Sequence, residues 1–197
     1  MITIDVSNVI KGLQNLTDQL NPSKIGLAQA RAINHTIAKA KVDTGRRIRA
    51  SYNIPVKEIA KSLSVRKASA SQNVGELHVS GNPLPIMSFK PYQTKQGISV
   101  VIRKGKRVRI RSAFIARVKG GYQSVFARGG YKGSNGFSFR HERINKVGAD
   151  LPIGKLFTIS IPSAFKSDEI LKPIEQILND NYPARLEHEL KYMLSKI

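Results

Sequence analysis

Apolar side chains recur every three or four residues through the first quarter of the chain. Ala30, Ile33, Ile37, Ala40, Thr44 and Ile48 fall on one narrow face, while Arg31, Lys39, Lys41, Arg46, Arg47 and Arg49 populate the rest. This period of 3.6 predicts a long helix over 22–50 that packs inward along its apolar stripe. Gly45 weakens the helix without ending it, and Pro55 is the first firm stop. Upstream, Ile10, Leu13, Leu16 and Leu20 follow Ser7 at helical spacing and predict a short helix. Asn21-Pro22 closes it and starts the long one. Residues 55–61 have room for one further turn.

From about residue 62 the period changes to two. Leu77 and Val79, then Ile98, Val100 and Ile102, then Val108 and Ile110 alternate with polar residues, as half-buried strands do. Pro83, Pro85 and Pro91 make 82–91 an expected extended connection, because proline cannot serve a central ladder. Segments 114–118 and 122–128 flank Gly120-Gly121, which predicts a two-residue hairpin turn. Gly129, Gly130, Gly133 and Gly136 mark 129–136 as a flexible surface loop. Residues 156–161 predict a last strand, ended by Pro162. Ser163 opens a helix with Phe165, Ile170, Leu171, Ile174 and Ile177, and Pro183 begins another with Leu186, Leu190 and Leu194.

These elements describe an α+β fold in which the long N-terminal helix packs on an antiparallel, partly barrel-like sheet and C-terminal helices close one side. The whole of 1–197 is expected to be a single domain, with a helical part over 1–55, a basic β part over 62–161 and a helical part over 163–197. A chain of 197 residues is long enough to bury a core of its own.

Charge alters this ordinary picture. The chain holds 33 Lys and Arg against 13 Asp and Glu, a net +20, and its pI is about 10.5. Such an excess repels itself unless a polyanion or an acidic partner compensates it. Between Glu76 and Glu142 there is no acidic residue but 13 Lys or Arg, while six of the 13 acids follow residue 167. Six of those cations are Arg103, Lys104, Lys106, Arg107, Arg109 and Arg111. If Ile102 pairs with Val108 and Val100 with Ile110, all four apolar side chains share one face and Arg103, Arg107, Arg109 and Arg111 share the other. Arg103 would then oppose Arg107, and an anion nearby would relieve the repulsion.

Backbone phosphates are the natural ligand for such a face, giving sequence-independent, salt-sensitive attraction. Charges that shield an edge strand from aggregation are the simpler account of the hairpin alone. They do not explain why carboxylates are excluded over so long a stretch. Arg117, Lys119, Arg128, Lys132 and Arg140 extend the candidate basic face. Tyr122, Phe126, Tyr131, Phe137 and Phe139 interleave with these cations. Stacking on bases is one use for them, and core packing or loop anchoring is the simpler one.

Catalytic constellations are missing from the pattern. There is no Cys, and His35, His78, His141 and His188 lack the spacing of a metal pair. Gly129-Gly130-Tyr131-Lys132-Gly133 lacks the ending and context of a phosphate loop, and Glu76, Glu142 and Asp150 sit in no motif. No zinc-finger, helix-turn-helix or RNA-recognition signature stands out. A non-enzymatic protein without cofactor or metal is therefore expected. Neither a leader in 1–20 nor a run of about 18 apolar residues is present, so the product is expected in the cytoplasm, away from membranes.

Three stretches resemble the minor tail protein Z family of lambda-like phages and prophages. They are 25–48, in which Ala28-Gln29-Ala30-Arg31-Ala32-Ile33-Asn34 suits an Ala-rich helix ending in an "AxN" step; Ser112-Ala113-Phe114-Ile115-Ala116-Arg117-Val118 followed by Gly120; and Leu151-Pro152-Ile153-Gly154 through Ile161-Pro162-Ser163-Ala164-Phe165. The resemblance implies a tail-completion protein of the virion, made in the host cytoplasm and fitted at the top of the tail, where head and tail join and DNA is positioned for ejection. It implies tail-terminator or tail-tube proteins, head-connector proteins and genomic DNA as partners, a homo-oligomeric ring, expected as a hexamer, and no catalytic residues. The family's dense basic run corresponds in order to Arg103, Lys104, Lys106, Arg107, Arg109 and Arg111. The other class of function compatible with the composition is a free cytoplasmic protein that binds nucleic acid without sequence preference.

Overall fold

The computed structural model describes residues 13–17, 20–117, 121–128, 140–143 and 153–196, with backbone alone at 14, 15 and 140–143. The chain divides into two compact units. Unit 1 takes Met1–Arg46, Ala60–Val79 and Phe165–Ile197, and unit 2 takes Arg47–Ile59 and Ser80–Ala164. The class is α+β: a long N-terminal helix, antiparallel sheets and C-terminal helices.

Unit 1 is built on two long helices. Helix α1 is Gln14–Thr17 and α2 is Pro22–Ser51. Pro22 opens α2 with its fixed φ, and Asn21 caps it, its Oδ1 accepting from the Lys24 N–H at 3.0 Å. The predicted stripe is the buried one: Ala30, Ile33, Ile37, Ala40, Thr44 and Ile48 are all at most 4% exposed. Ala28, Ala32 and Thr36, each fully buried, widen the face beyond the sequence expectation. Helix α3 (Val56–Ser62) supplies the further turn expected near 55–61 and leads into β1 (Leu63–Arg66), which pairs antiparallel with β2 (Glu76–Val79).

The loop between these strands is held by Asn34. Its Nδ2 donates to Ala68 O at 3.0 Å, and its Oδ1 accepts from Ala68 N at 2.8 Å. At the far end of the loop Gly75 packs its Cα against Ile33 and Ile37, leaving no space for a Cβ.

Two helices were expected after Ser163, with a break at Pro183. The structure instead has a short helix α4 (Ile161–Phe165) and then one continuous helix α5 (Asp168–Leu194), with Pro173 and Pro183 inside it. A proline deletes one helical hydrogen bond and crowds the preceding turn. That cost is offset here by an unbroken stripe at four-residue steps. Ile170, Ile174, Leu178, Tyr182, Leu186 and Leu190 are all buried, and the last five pack with Ile33, Ile37, Ala40 and Leu77 of α2 and β2. Apolar burial of several large side chains, at about 1.5–3 kcal/mol each, outweighs two proline defects of about 3 kcal/mol.

Unit 2 holds the β structure. β3 (Tyr92–Thr94), β4 (Gly97–Val101) and β5 (Arg107–Arg111) form a three-stranded ladder in that order. β6 (Ala113–Arg117), β7 (Gln123–Arg128), β9 (Ile153–Phe157) and β8 (Arg140–Arg143) form a four-stranded one in the order β6-β7-β9-β8. Every pairing is antiparallel, so the expected sheet is distributed over three ladders, counting β1–β2. The Gln93 side chain bridges the two larger ladders, its Oε1 accepting from Ile115 N at 2.9 Å and its Nε2 donating to Gly97 O at 2.9 Å.

Three local expectations need correction. The last strand ends at Phe157 rather than near Ile161, and residues beyond it pair with the proline segment: Thr158 N donates to Leu84 O at 2.8 Å. That segment is not extended throughout, because Ile86–Phe89 makes a 3-10 turn that buries Ile86 and Phe89. The β6–β7 register sets Arg117 opposite Gln123, with an odd number of residues between them. A two-residue turn on Gly120-Gly121 alone would leave an even number, and residues 118–120 lie outside the described residues. So does the Gly-rich segment 129–136.

Candidate functional site

The side chains of β5 alternate sharply. Val108 and Ile110 are 2% and 0% exposed, whereas Arg107, Arg109 and Arg111 point outward. Their neighbours across the ladder are Val101, Ser99 and Gly97 respectively. The expected register is therefore off by two residues: Val108 faces Val100, and Ile110 faces Ile98. A shift of two keeps every side chain on its predicted face. Arg103, however, does not oppose Arg107.

The reason lies in the end of α2. Asn53 N donates to Ile102 O at 2.8 Å, Tyr52 bridges Arg103, and Lys104 N donates to Ser51 O at 2.9 Å. Residues 102–104 are thus bound to the segment after the helix rather than to β5. Pairing within the sequence window alone could not reveal this competitor.

The arginines of β5 meet neutral groups. Arg107 donates from Nη1 to the Tyr92 hydroxyl and stacks its guanidinium 5.3 Å from that ring's centroid. Arg109 Nη1 donates to Gln96 Oε1 at 3.4 Å. Among the described residues none of Arg107, Arg109 and Arg111 has a carboxylate within ion-pair distance. The phenol of Tyr92 is lowered from its ordinary pKa, first by hydrogen bonding with Ser99 and further by the charges of Arg107 and Arg109. Tyr92, Ser99 and Arg109 stand in one row across β3, β4 and β5, which places this tyrosine on the arginine side.

The remaining candidates are scattered. Arg103, Lys104 and Lys106 are exposed in the β4–β5 connection, with the Arg103 guanidinium 5.9 Å from the Tyr52 ring centroid. Arg117 and Arg128 are exposed on the other ladder, opposite the first residue of β7 and at its last, so the structure does not bring them together. Arg128 stacks 5.7 Å from the Phe114 centroid. Arg140 is placed only as a position in β8, and Lys119, Lys132, Tyr131, Phe137 and Phe139 lie outside the described residues.

Phe126 is 2% exposed and pairs with Phe114 at 6.2 Å, so it is a core residue and not a stacking platform. Lys155, which the sequence pattern did not single out, lies 5.2 Å from the centroids of both Tyr122 and Phe157. It is half-buried on the side of β9 that also carries Ile153 and Phe157, and no alternation in the sequence marks it.

Charge also partitions between the units. Unit 2 holds 19 Lys and Arg against 3 Asp and Glu, a net of +16, and unit 1 holds 14 against 10, a net of +4. Among the described residues no three His, Cys, Asp or Glu side chains cluster as metal ligands, and no helix is long and apolar enough to cross a membrane.

The family model for prophage minor tail protein Z matches residues 10–197, nearly the whole chain. The chain belongs to that family. It is a phage minor tail protein, a component of the virion's tail. Neither the curated proteins nor the solved structures contain a match to it.

Proposed function

We propose that this minor tail protein is a non-enzymatic tail-completion or neck subunit at the head-proximal end of the tail. Copies close into a ring, of six in this reading, between tail-terminator or tail-tube proteins and the head connector. There they assist head–tail joining and hold the DNA through the arginine side of β5.

The observation that carries the reading is the row Arg107, Arg109 and Arg111. All three are exposed and, among the described residues, have no carboxylate within ion-pair distance, and they sit in the unit that carries most of the net charge. An exposed cationic row of this kind attracts phosphates without reading sequence. Rotational symmetry around a lumen repeats the row once per subunit.

The test replaces Arg107, Arg109 and Arg111 together by Gln and measures duplex binding over a range of salt. Removing three phosphate contacts should reduce the slope of log affinity against log salt by about 3, at roughly 0.9 per contact, and equally for unrelated sequences. An unchanged slope would overturn the DNA role. If the variant aggregates while binding as before, the arginines serve to shield the β5 edge.

A further inference from the structure

We propose that the end of α2 and the β4–β5 connection form one composite phosphate-binding patch, in which Arg49 acts with Lys104 and Lys106 and Tyr52 positions Arg103. The inference rests on the DNA reading above and adds a site that the β5 row does not contain. Arg49 and Lys104 are 55 positions apart, and nothing in the local sequence links them.

Three backbone contacts fuse the two segments: Lys104 N to Ser51 O at 2.9 Å, Asn53 N to Ile102 O at 2.8 Å, and the Tyr52–Arg103 bridge. The Asn53 side chain adds a fourth, donating to Val101 O at 3.3 Å. Ile48, Tyr52 and Ile102 are buried at the base of this junction, at 0%, 8% and 0% exposure. Above it Arg49, Arg103, Lys104 and Lys106 are all exposed. Gly105, at φ +76°, turns the chain with nothing within 4 Å of where a Cβ would stand, so the tip of the connection projects into open space. A braced base under a projecting cationic tip suits a phosphate clamp, because the backbone that carries the cations is held in place before the ligand arrives. Tyr52 supplies the ring beneath the Arg103 guanidinium and so restricts where that charge can point.

The full chain is titrated with duplex DNA across salt concentrations. Arg49→Gln and Lys104→Gln, both at exposed positions, are each expected to lower the salt slope by about 0.9. Arg31→Gln, exposed on the same helix but in unit 1, is expected to leave it unchanged. Tyr52→Leu should lower the slope by a similar amount, and Tyr52→Phe, which keeps the ring, should restore it. A normal slope for Arg49→Gln and Lys104→Gln, beside a reduced one for the β5 triple variant, would overturn the patch and leave the β5 reading standing. Equal losses from Arg31→Gln would overturn it too, by showing a general charge effect. If neither these variants nor the β5 triple variant moves the slope, the DNA reading fails and the patch fails with it.

Discussion

Tyr182 is 1% exposed, and its hydroxyl has no hydrogen-bond partner among the described residues. Burial pushes its pKa up to about 12. Because burial penalises the ionised phenol, stability does not change with this group below its unfolded pKa of about 10 and falls as pH rises from there toward 12. Tyr182→Phe removes the orphan hydroxyl and keeps the ring. It should raise stability near neutral pH by about 1 kcal/mol or more, and its advantage should grow between pH 10 and 12. Paired thermal melts of the two proteins across that range check both claims; equal melting temperatures throughout would show that the hydroxyl is satisfied. Asn34 is the opposite case. Asn34→Ala leaves both the N–H and the C=O of Ala68 without their partner, so urea unfolding should show a loss of about 1–3 kcal/mol. The sequence places Asn34 at the end of an Ala-rich step, but its role depends on a residue 34 positions away and could not be read from spacing.

Among the elements, α2 was the most legible, because its stripe is a local period and burial follows that period directly. β5 was legible in face but not in register, since the end of α2 claims Ile102 and Arg103. The continuous α5 was misread because proline is a local signal, whereas the force that overrides it is tertiary packing along a stripe. β7 departs from alternation for a related reason. Ser124, Val125, Phe126 and Ala127 are all buried, so this strand is covered on both faces by its surroundings. The two phenylalanines of the β6–β7 pair should therefore respond unequally. Phe126→Ala empties a 2% exposed site and should cost about 3–5 kcal/mol. Phe114 is half-buried, and its loss forfeits the tilted ring pair and some area, about 1–2 kcal/mol. Urea midpoints for the two variants give the comparison. A Phe114→Ala cost as large as that of Phe126→Ala would overturn this ranking by burial.

For the whole molecule, the charge is a condition on assembly. Part of the candidate site was legible here, since counting charges along the chain already separates a nearly balanced end from a cationic middle, while the contribution of α2 needed the fold. Each copy brings +20, of which +16 resides in unit 2, so copies in the proposed ring would repel one another until a polyanion or an acidic partner compensated them. Purified protein at low salt should consequently sediment as a small species, and short duplex DNA or raised salt should favour a closed oligomer. Coating of duplex by monomers or dimers, with no closed species under any condition, would favour a free nucleic-acid binder over a ring subunit. Particles carrying the triple Arg107, Arg109 and Arg111 to Gln replacement discriminate further. The fold should survive, because these side chains are exposed and their direct neighbours are neutral. If the row holds DNA, heads and tails should join, yet the DNA should be misplaced and infectivity poor. If the row instead docks an acidic protein, electron microscopy should show unjoined heads and tails. Normal infectivity together with an unchanged salt slope would remove the DNA path and leave a tail subunit whose cationic unit serves another contact.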